Sequence, residues 1–154
     1  MNTSVIELFR SPSLWSAFCA WLVAQTTKML CGVARGGRLD FQYLASLGGM
    51  PSAHSAMASG LAVSIGLEVG FGNPLCVLAM AFATVVMFDA ATVRHAAGIQ
   101  ARLVNEMIDE LLREHRLSER KLVELLGHTR LEVFMGMVMG ILVALLVNAI
   151  AGLA

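Results

Sequence analysis

LWSAFCAWLVAQTTKMLCGV, residues 14–33, is the stretch from which the fold class follows. As an α-helix, a run of about 20 residues extends about 30 Å, the thickness of a bilayer's hydrocarbon core. Ser13 stands before it as an N-cap candidate. A cleaved signal peptide would show a basic lead-in, a shorter apolar core and a small-residue cleavage site. Only Arg10 supplies positive charge ahead of the run, so it reads as a membrane span. The whole chain agrees. Of its 154 residues 57% are hydrophobic and only 14% charged, and the mean hydropathy is +0.72. An ordinary soluble domain carries about 25% charged residues. That argues against a soluble domain and against a disordered chain. The net charge of +0 offers no basic field for nucleic acid, so no nucleic-acid partner is expected. Cys19, Cys31 and Cys76 form no CxxC pair and lie in apolar runs, as small buried hydrophobes do.

Working outward, a hydrophilic stretch (residues 35–47) leads to GGMPSAHSA (residues 48–56). There Pro51 suits the first position of a second span, predicted over residues 51–69. GFGNP (residues 70–74) is a tight break, with Asn73 as cap and Pro74 opening a third span over residues 74–93. Residues 98–126 differ: Ile99, Leu103, Met107 and Leu111 recur every fourth position among charges, the mark of an amphipathic helix on the membrane surface or against the bundle. Ser118 can restart that helix and Gly127 end it. A last span is predicted over residues 131–154, where Gly136 and Gly140 form a close-packing face. Packing within the chain is the preferred use of that face, and a homo-oligomer stays open. The expected fold is an all-α integral membrane helical bundle of about four transmembrane helices plus an amphipathic segment, a single domain.

Four alternating spans bring unusual polar residues to one membrane face. Lys28 and Arg35 end the first span; Ser52, His54 and Ser55 open the second; Asp89, Arg94 and His95 end the third; His128, Thr129 and Glu132 open the fourth. The opposite face offers mainly Glu7, Arg10, Glu68, Asn73 and Asn148. Polar groups near hydrocarbon are costly and are paired, wetted or functional. Helix N-termini near Pro51 and Thr129 present free N–H groups, and Lys28, Arg35 and Arg94 add positive charge, which together suit phosphate. Two histidines, His54 and His128, can serve as general acid and nucleophile. Glu132, four residues after His128, shares its helix face and can orient the ring. The chemistry so assembled is phosphoryl transfer through a histidine, which needs no cofactor and no metal.

The segments GGMPSAHSA (residues 48–56), DAATVRHAAGIQA (residues 89–101) and LGHTRLEVFMG (residues 126–136) closely resemble the divergent family of type-2 phosphatidic acid phosphatase-like membrane proteins. That family is related to lipid phosphatases and vanadium haloperoxidases, whose motifs are K-x6-R-P, P-S-G-H and S-R-x5-H-x3-D. The resemblance covers essentially the whole chain. It implies an all-helical membrane fold and hydrolysis of a lipid phosphate through a phosphohistidine. Lys28-x6-Arg35 keeps the spacing of the first motif, with Gly36 for proline. Pro51-Ser52-Ala53-His54 matches the second with alanine for glycine, and His128-x3-Glu132 ends the third with glutamate for aspartate. Lys121 and Leu122 stand where the third motif has Ser-Arg, and Lys121 or Arg94 is the candidate to supply the lost charge.

Each assignment has a structural rival. His54 and His128 can be helix-start histidines bound to carbonyls, and Ser52 can simply cap. Thr129-x2-Glu132 is also a capping box, in which the glutamate bonds back to the cap N–H. Asp89 and Arg94 can neutralise each other, while Asp89 and Gln100 share a face only if the helix between them is unbroken. Lys28 can snorkel to the interface. A divalent cation held by Asp89, Glu106 and Glu132 is the chemical alternative. The expected function is thus a membrane phosphatase of a lipid or polyprenyl phosphate or diphosphate; the alternative is a non-enzymatic membrane protein that binds or moves an anionic lipid. The basic residues Arg35, Arg38, Arg94, Arg102, Arg113, Arg116, Arg120, Lys121 and Arg130 fall on the site's side, against Arg10 opposite. By the positive-inside rule the site faces the cytoplasm, and the expected location is a bacterial inner membrane.

Overall fold

The computed structural model describes residues 2–34, 49–112 and 128–152. Among them every regular element is an α-helix: α1 (Asn2–Arg10), α2 (Pro12–Ala34), α3 (Ala53–Val69), α4 (Pro74–Ala91), α5 (Val93–Leu112) and α6 (Arg130–Ile150). The fold is an all-α membrane bundle. Helix α3 is its centre, flanked by α2, α4 and α6, while α4 scarcely meets α6.

The packing is that of helices without a hydrophobic drive between them. The cores are alanines: Ala20, Ala24, Ala53 and Ala56 where α2 meets α3, and Ala58, Ala62 and Ala83 where α3 meets α4. Small side chains let the backbones approach, so that van der Waals contact holds the helices together. Gly136 and Gly140 take this furthest. A Cβ on Gly136 would collide with the Ser52 carbonyl, and one on Gly140 with the Ala56 carbonyl. The glycine pair therefore seats α6 on α3 within the chain. The hydropathy is inverted relative to a soluble protein. Ser16, Ser52, Ser55, Ser64 and Asn148 are fully buried, while Leu78, Phe82, Val85, Phe88, Phe134, Leu142 and Leu146 face outward. Water would penalise that surface and hydrocarbon does not.

Among the described residues, two stretches are long and apolar enough to cross a membrane: residues Pro74–Ile108, which run from α4 into α5, and α6. Helix α3 has 17 residues, about 26 Å at the usual rise. In α2 the run Gln25-Thr26-Thr27-Lys28 dilutes the apolar character.

Several boundaries differ from the sequence reading. An additional short helix, α1, precedes the first long one. Helix α2 starts at Pro12, so Ser13 is inside it, and the Ser13 hydroxyl donates to the Glu68 carboxylate instead of capping. Helix α3 starts at Ala53 with Ser52 as N-cap, not with Pro51 at its first position. The serine prevails because its Oγ accepts an N–H of the first turn, which the proline ring cannot do. Asn73 caps α4 and Pro74 opens it, as expected. The amphipathic helix begins at Val93 rather than Gly98, because α4 ends at Ala91 with Thr92 as its C-cap and the chain turns helical again at once. The Thr92 N–H donates to the Phe88 carbonyl at 3.0 Å, and the Ala96 N–H to the Thr92 carbonyl at 2.9 Å. Gly98 is buried inside α5 and does not interrupt it. The expected continuation over residues 113–126, with Ser118, and the stop at Gly127 lie outside the described residues.

Candidate phosphate site

The site is built where α3 and α6 begin side by side. At α3, the Ser52 Oγ accepts the Ser55 N–H at 3.4 Å and the Ser55 hydroxyl at 2.9 Å. The Ser52 N–H donates to the Glu132 carbonyl at 3.0 Å, which ties one helix start to the other. At α6, Thr129 is the N-cap of a complete capping box. The Glu132 N–H donates to the Thr129 Oγ1 at 3.3 Å, and the Thr129 N–H to the Glu132 Oε2 at 2.9 Å.

The same Oε2 lies 3.2 Å from Nδ1 of His128. Capping and orienting the histidine are thus not alternatives; one carboxylate does both. The His128 ring is only 3% exposed. Glu132 thus holds the ring by its Nδ1 edge. Lys28 of α2 is buried, and its ammonium is near enough to Glu132 to interact electrostatically. A Cβ on Gly49 would lie 3.5 Å from the Lys28 Cγ, so the chain entering α3 passes along the lysine stem. Lys28 is thus buried beside Glu132.

His54 and His128 line one cavity of about 280 Å³, together with Val85, Val86, Asp89 and Ala90 of α4. A second cavity of about 410 Å³, on the other side of His128, is lined also by Thr92, Ile99, Thr129 and Arg130. His54 is exposed and lines that cavity. The structure therefore brings together His54, Asp89, His128, Thr129, Glu132, Ser52 and Lys28 at one end of the bundle. Gln100 is exposed on α5 and lines neither cavity. Thr92 interrupts the helix between it and Asp89. Arg94 is in the first turn of α5, beyond that interruption, and Arg35 lies outside the described residues.

Val85 and Val86 were not singled out from the sequence, and Arg130 was counted there only for its charge. The valines sit one turn from Asp89, at positions i−4 and i−3, which was the available signal. Glu106, a member of the hypothetical cation set, pairs with Arg102 at 3.0 Å on the exposed surface of α5. Among the described residues, no three His, Cys, Asp or Glu side chains gather as metal ligands.

Comparison with known proteins fits this arrangement. No solved structure matches the chain. A membrane protein of Bacillus subtilis (strain 168), called uncharacterized membrane protein YuiD, is 35% identical over 151 residues, covering 91% of this chain and 96% of its own. The model of the divergent PAP2 family matches residues 9–143, a span that includes both helix starts, both histidines and the cavity between them. The chain therefore belongs to the divergent PAP2 family of membrane proteins.

Proposed function

We propose that this protein is a membrane phosphatase that releases phosphate from a lipid or polyprenyl phosphate or diphosphate through a phosphohistidine on His128. The observation that carries the reading is the Glu132 Oε2 at 3.2 Å from the His128 Nδ1, with His54 on the same cavity. Glu132 accepts the Nδ1 hydrogen, which holds the ring and raises the basicity of Nε2. The Nε2 lone pair attacks phosphorus as the bond to the leaving oxygen breaks. His54, as imidazolium, gives that oxygen its proton. Neutral His54 then takes a proton from water, whose oxygen attacks the phosphohistidine; the N–P bond breaks and inorganic phosphate leaves. The positive ends of α3 and α6, Lys28, Arg35 and Arg94 offset the charge of the phosphoryl group. Ser52 and Thr129 hold the two helix starts in place for it.

The reading includes four crossings, by α2, α3, α4 and α6, with the site on the cytoplasmic side of a bacterial inner membrane. A single cysteine near Arg116, in a cysteine-free background, is then expected to resist an impermeant maleimide in intact cells. Labelling there would reverse the orientation.

The test of activity is phosphate release from a panel of lipid phosphates and diphosphates by purified protein, with His128→Ala as control and vanadate as inhibitor. Activity that vanadate and His128→Ala both remove supports the proposal. A second reading, binding or moving an anionic lipid without turnover, is favoured by one feature, Lys121-Leu122 in place of the Ser-Arg of the third motif. Failure to release phosphate from any member of the panel, together with no vanadate binding, selects it.

A further inference from the structure

Helix α4 is the outer helix of the bundle. Its buried residues, Cys76, Ala83 and Ala90, recur every seventh position as one narrow stripe. That stripe rests on α3, through Ala83 against Ala58 and Ala62 and through the Cys76 Sγ at 3.8 Å from the Ala62 carbonyl. Because α4 follows α3 and scarcely meets α6, a wedge is left between α4 and α6 with α3 as its floor. The 280 Å³ cavity occupies this wedge, since its walls come from α3, α4 and His128, two residues before α6.

The wedge is graded in polarity. His54, Asp89 and His128 form one end. Val85 and Val86 form the other, one helical turn or about 5 Å further along α4. Helix α4 belongs to a stretch long and apolar enough to cross a membrane, so the valine end points toward hydrocarbon depth. Val85 is 66% exposed and lies between Phe82 and Phe88, exposed by 59% and 67%, so the apolar end is open to the outside of the bundle. Ligand pockets that enclose a whole small molecule have about 300–1,000 Å³. This one suffices for a phosphate and the first carbons attached to it, but not for a lipid.

We infer that the wedge between α4 and α6 is the seat of the substrate's hydrocarbon chain, with the phosphate between His54 and His128, the first carbons against Val85 and Val86, and the rest of the chain lying in the bilayer along α4. The inference rests on the phosphatase reading for the position of the phosphate and adds where the chain goes. The matching of a polar end at the helix starts with an apolar end one turn deeper is what selects an amphiphile over a water-soluble phosphate. A second copy of this chain packed on α4 is the competing occupant.

The test is photo-crosslinking with dodecyl phosphate that carries a diazirine close to its phosphate, using the full chain in detergent micelles and in liposomes. Both the wild type and His128→Ala are labelled, so the readout does not require turnover. Adducts are expected on the peptide that spans residues 82–90, lost on competition with excess dodecyl phosphate but not with dodecanol. Val85→Trp is expected to lower that labelling roughly tenfold, the scale of an overpacked contact. Adducts confined to the outer faces of α2 or α6, or equal competition by dodecanol, overturn the inference, as does a dimer cross-linked through α4 that excludes the probe. Phosphate release measured in parallel separates the two claims. Adducts at residues 82–90 without release leave the chain seat standing and sink the phosphatase; release with adducts elsewhere does the reverse.

Discussion

The two ends of the bundle are both polar, and they differ in kind. At one end, His54, His128, Asp89, Glu132 and Lys28 surround open volume. At the other, Asn148 of α6 reaches across to α2 and α3. Its Nδ2 lies 2.8 Å from the Ser64 Oγ, 2.8 Å from the Ala144 carbonyl and 3.3 Å from the Ser16 Oγ. The Ala144 carbonyl can only accept, which fixes the amide's orientation. Ser64 and Ser13 both bond the Glu68 carboxylate. Amide and hydroxyls bond to one another and to that one carboxylate, as expected of helices clamped through hydrogen bonds in hydrocarbon. The histidine end instead combines titratable nitrogens, a shared carboxylate and space for a ligand. Burying polar groups in a membrane is therefore not sufficient to make a site. The difference lies in whether titratable side chains and open volume coincide.

Substitutions can break this contrast, and the expected effects fall in order. His128→Ala is expected to abolish turnover, because the group that bonds to phosphorus is gone; residual phosphate release at the wild-type rate would remove the histidine end's claim to chemistry. His54→Ala is expected to cost about 10²–10⁴-fold in rate by removing the proton donor to the leaving oxygen. A leaving group of low pKa should recover much of that loss, and steady-state kinetics on two such substrates reads it. Glu132→Gln separates the carboxylate's two roles. The amide oxygen can still accept the Thr129 N–H, so thermal stability should hold, while the His128 ring loses its anionic partner and the rate falls about 10²-fold. A matching loss of stability would mean that Glu132 serves only the cap. Asn148→Ala should have the smallest effect on activity, none beyond the error of the assay. It is expected to lower stability by about 1–2 kcal/mol through the lost interhelical bonds, read from thermal unfolding in detergent.

The helix starts were legible in the sequence because capping is local. Asn73-Pro74 and Thr129-x2-Glu132 act over three or four residues, and the structure has both. Ser52 was legible as a cap as well, and it displaced Pro51 by the same local logic. The interruption at Thr92 was not: nothing in ATVRHAAG distinguishes a break there from one at Gly98.

By itself the sequence determined that the chain is helical and membrane-embedded, and where α4 and α6 are capped. Hydropathy and capping settle these within a few turns of chain, and they need no knowledge of neighbours. Only the tertiary structure decided which of those residues meet. That Glu132 serves cap and histidine at once, that Lys28 is drawn inside, and that Val85 and Val86 complete a cavity with His54 and His128 all depend on how the helices are rotated and seated. The seat is set by backbone contact at Gly136 and Gly140, which locks α6 to the start of α3. Such contact joins residues roughly eighty positions apart, a distance over which no periodicity in the sequence reaches.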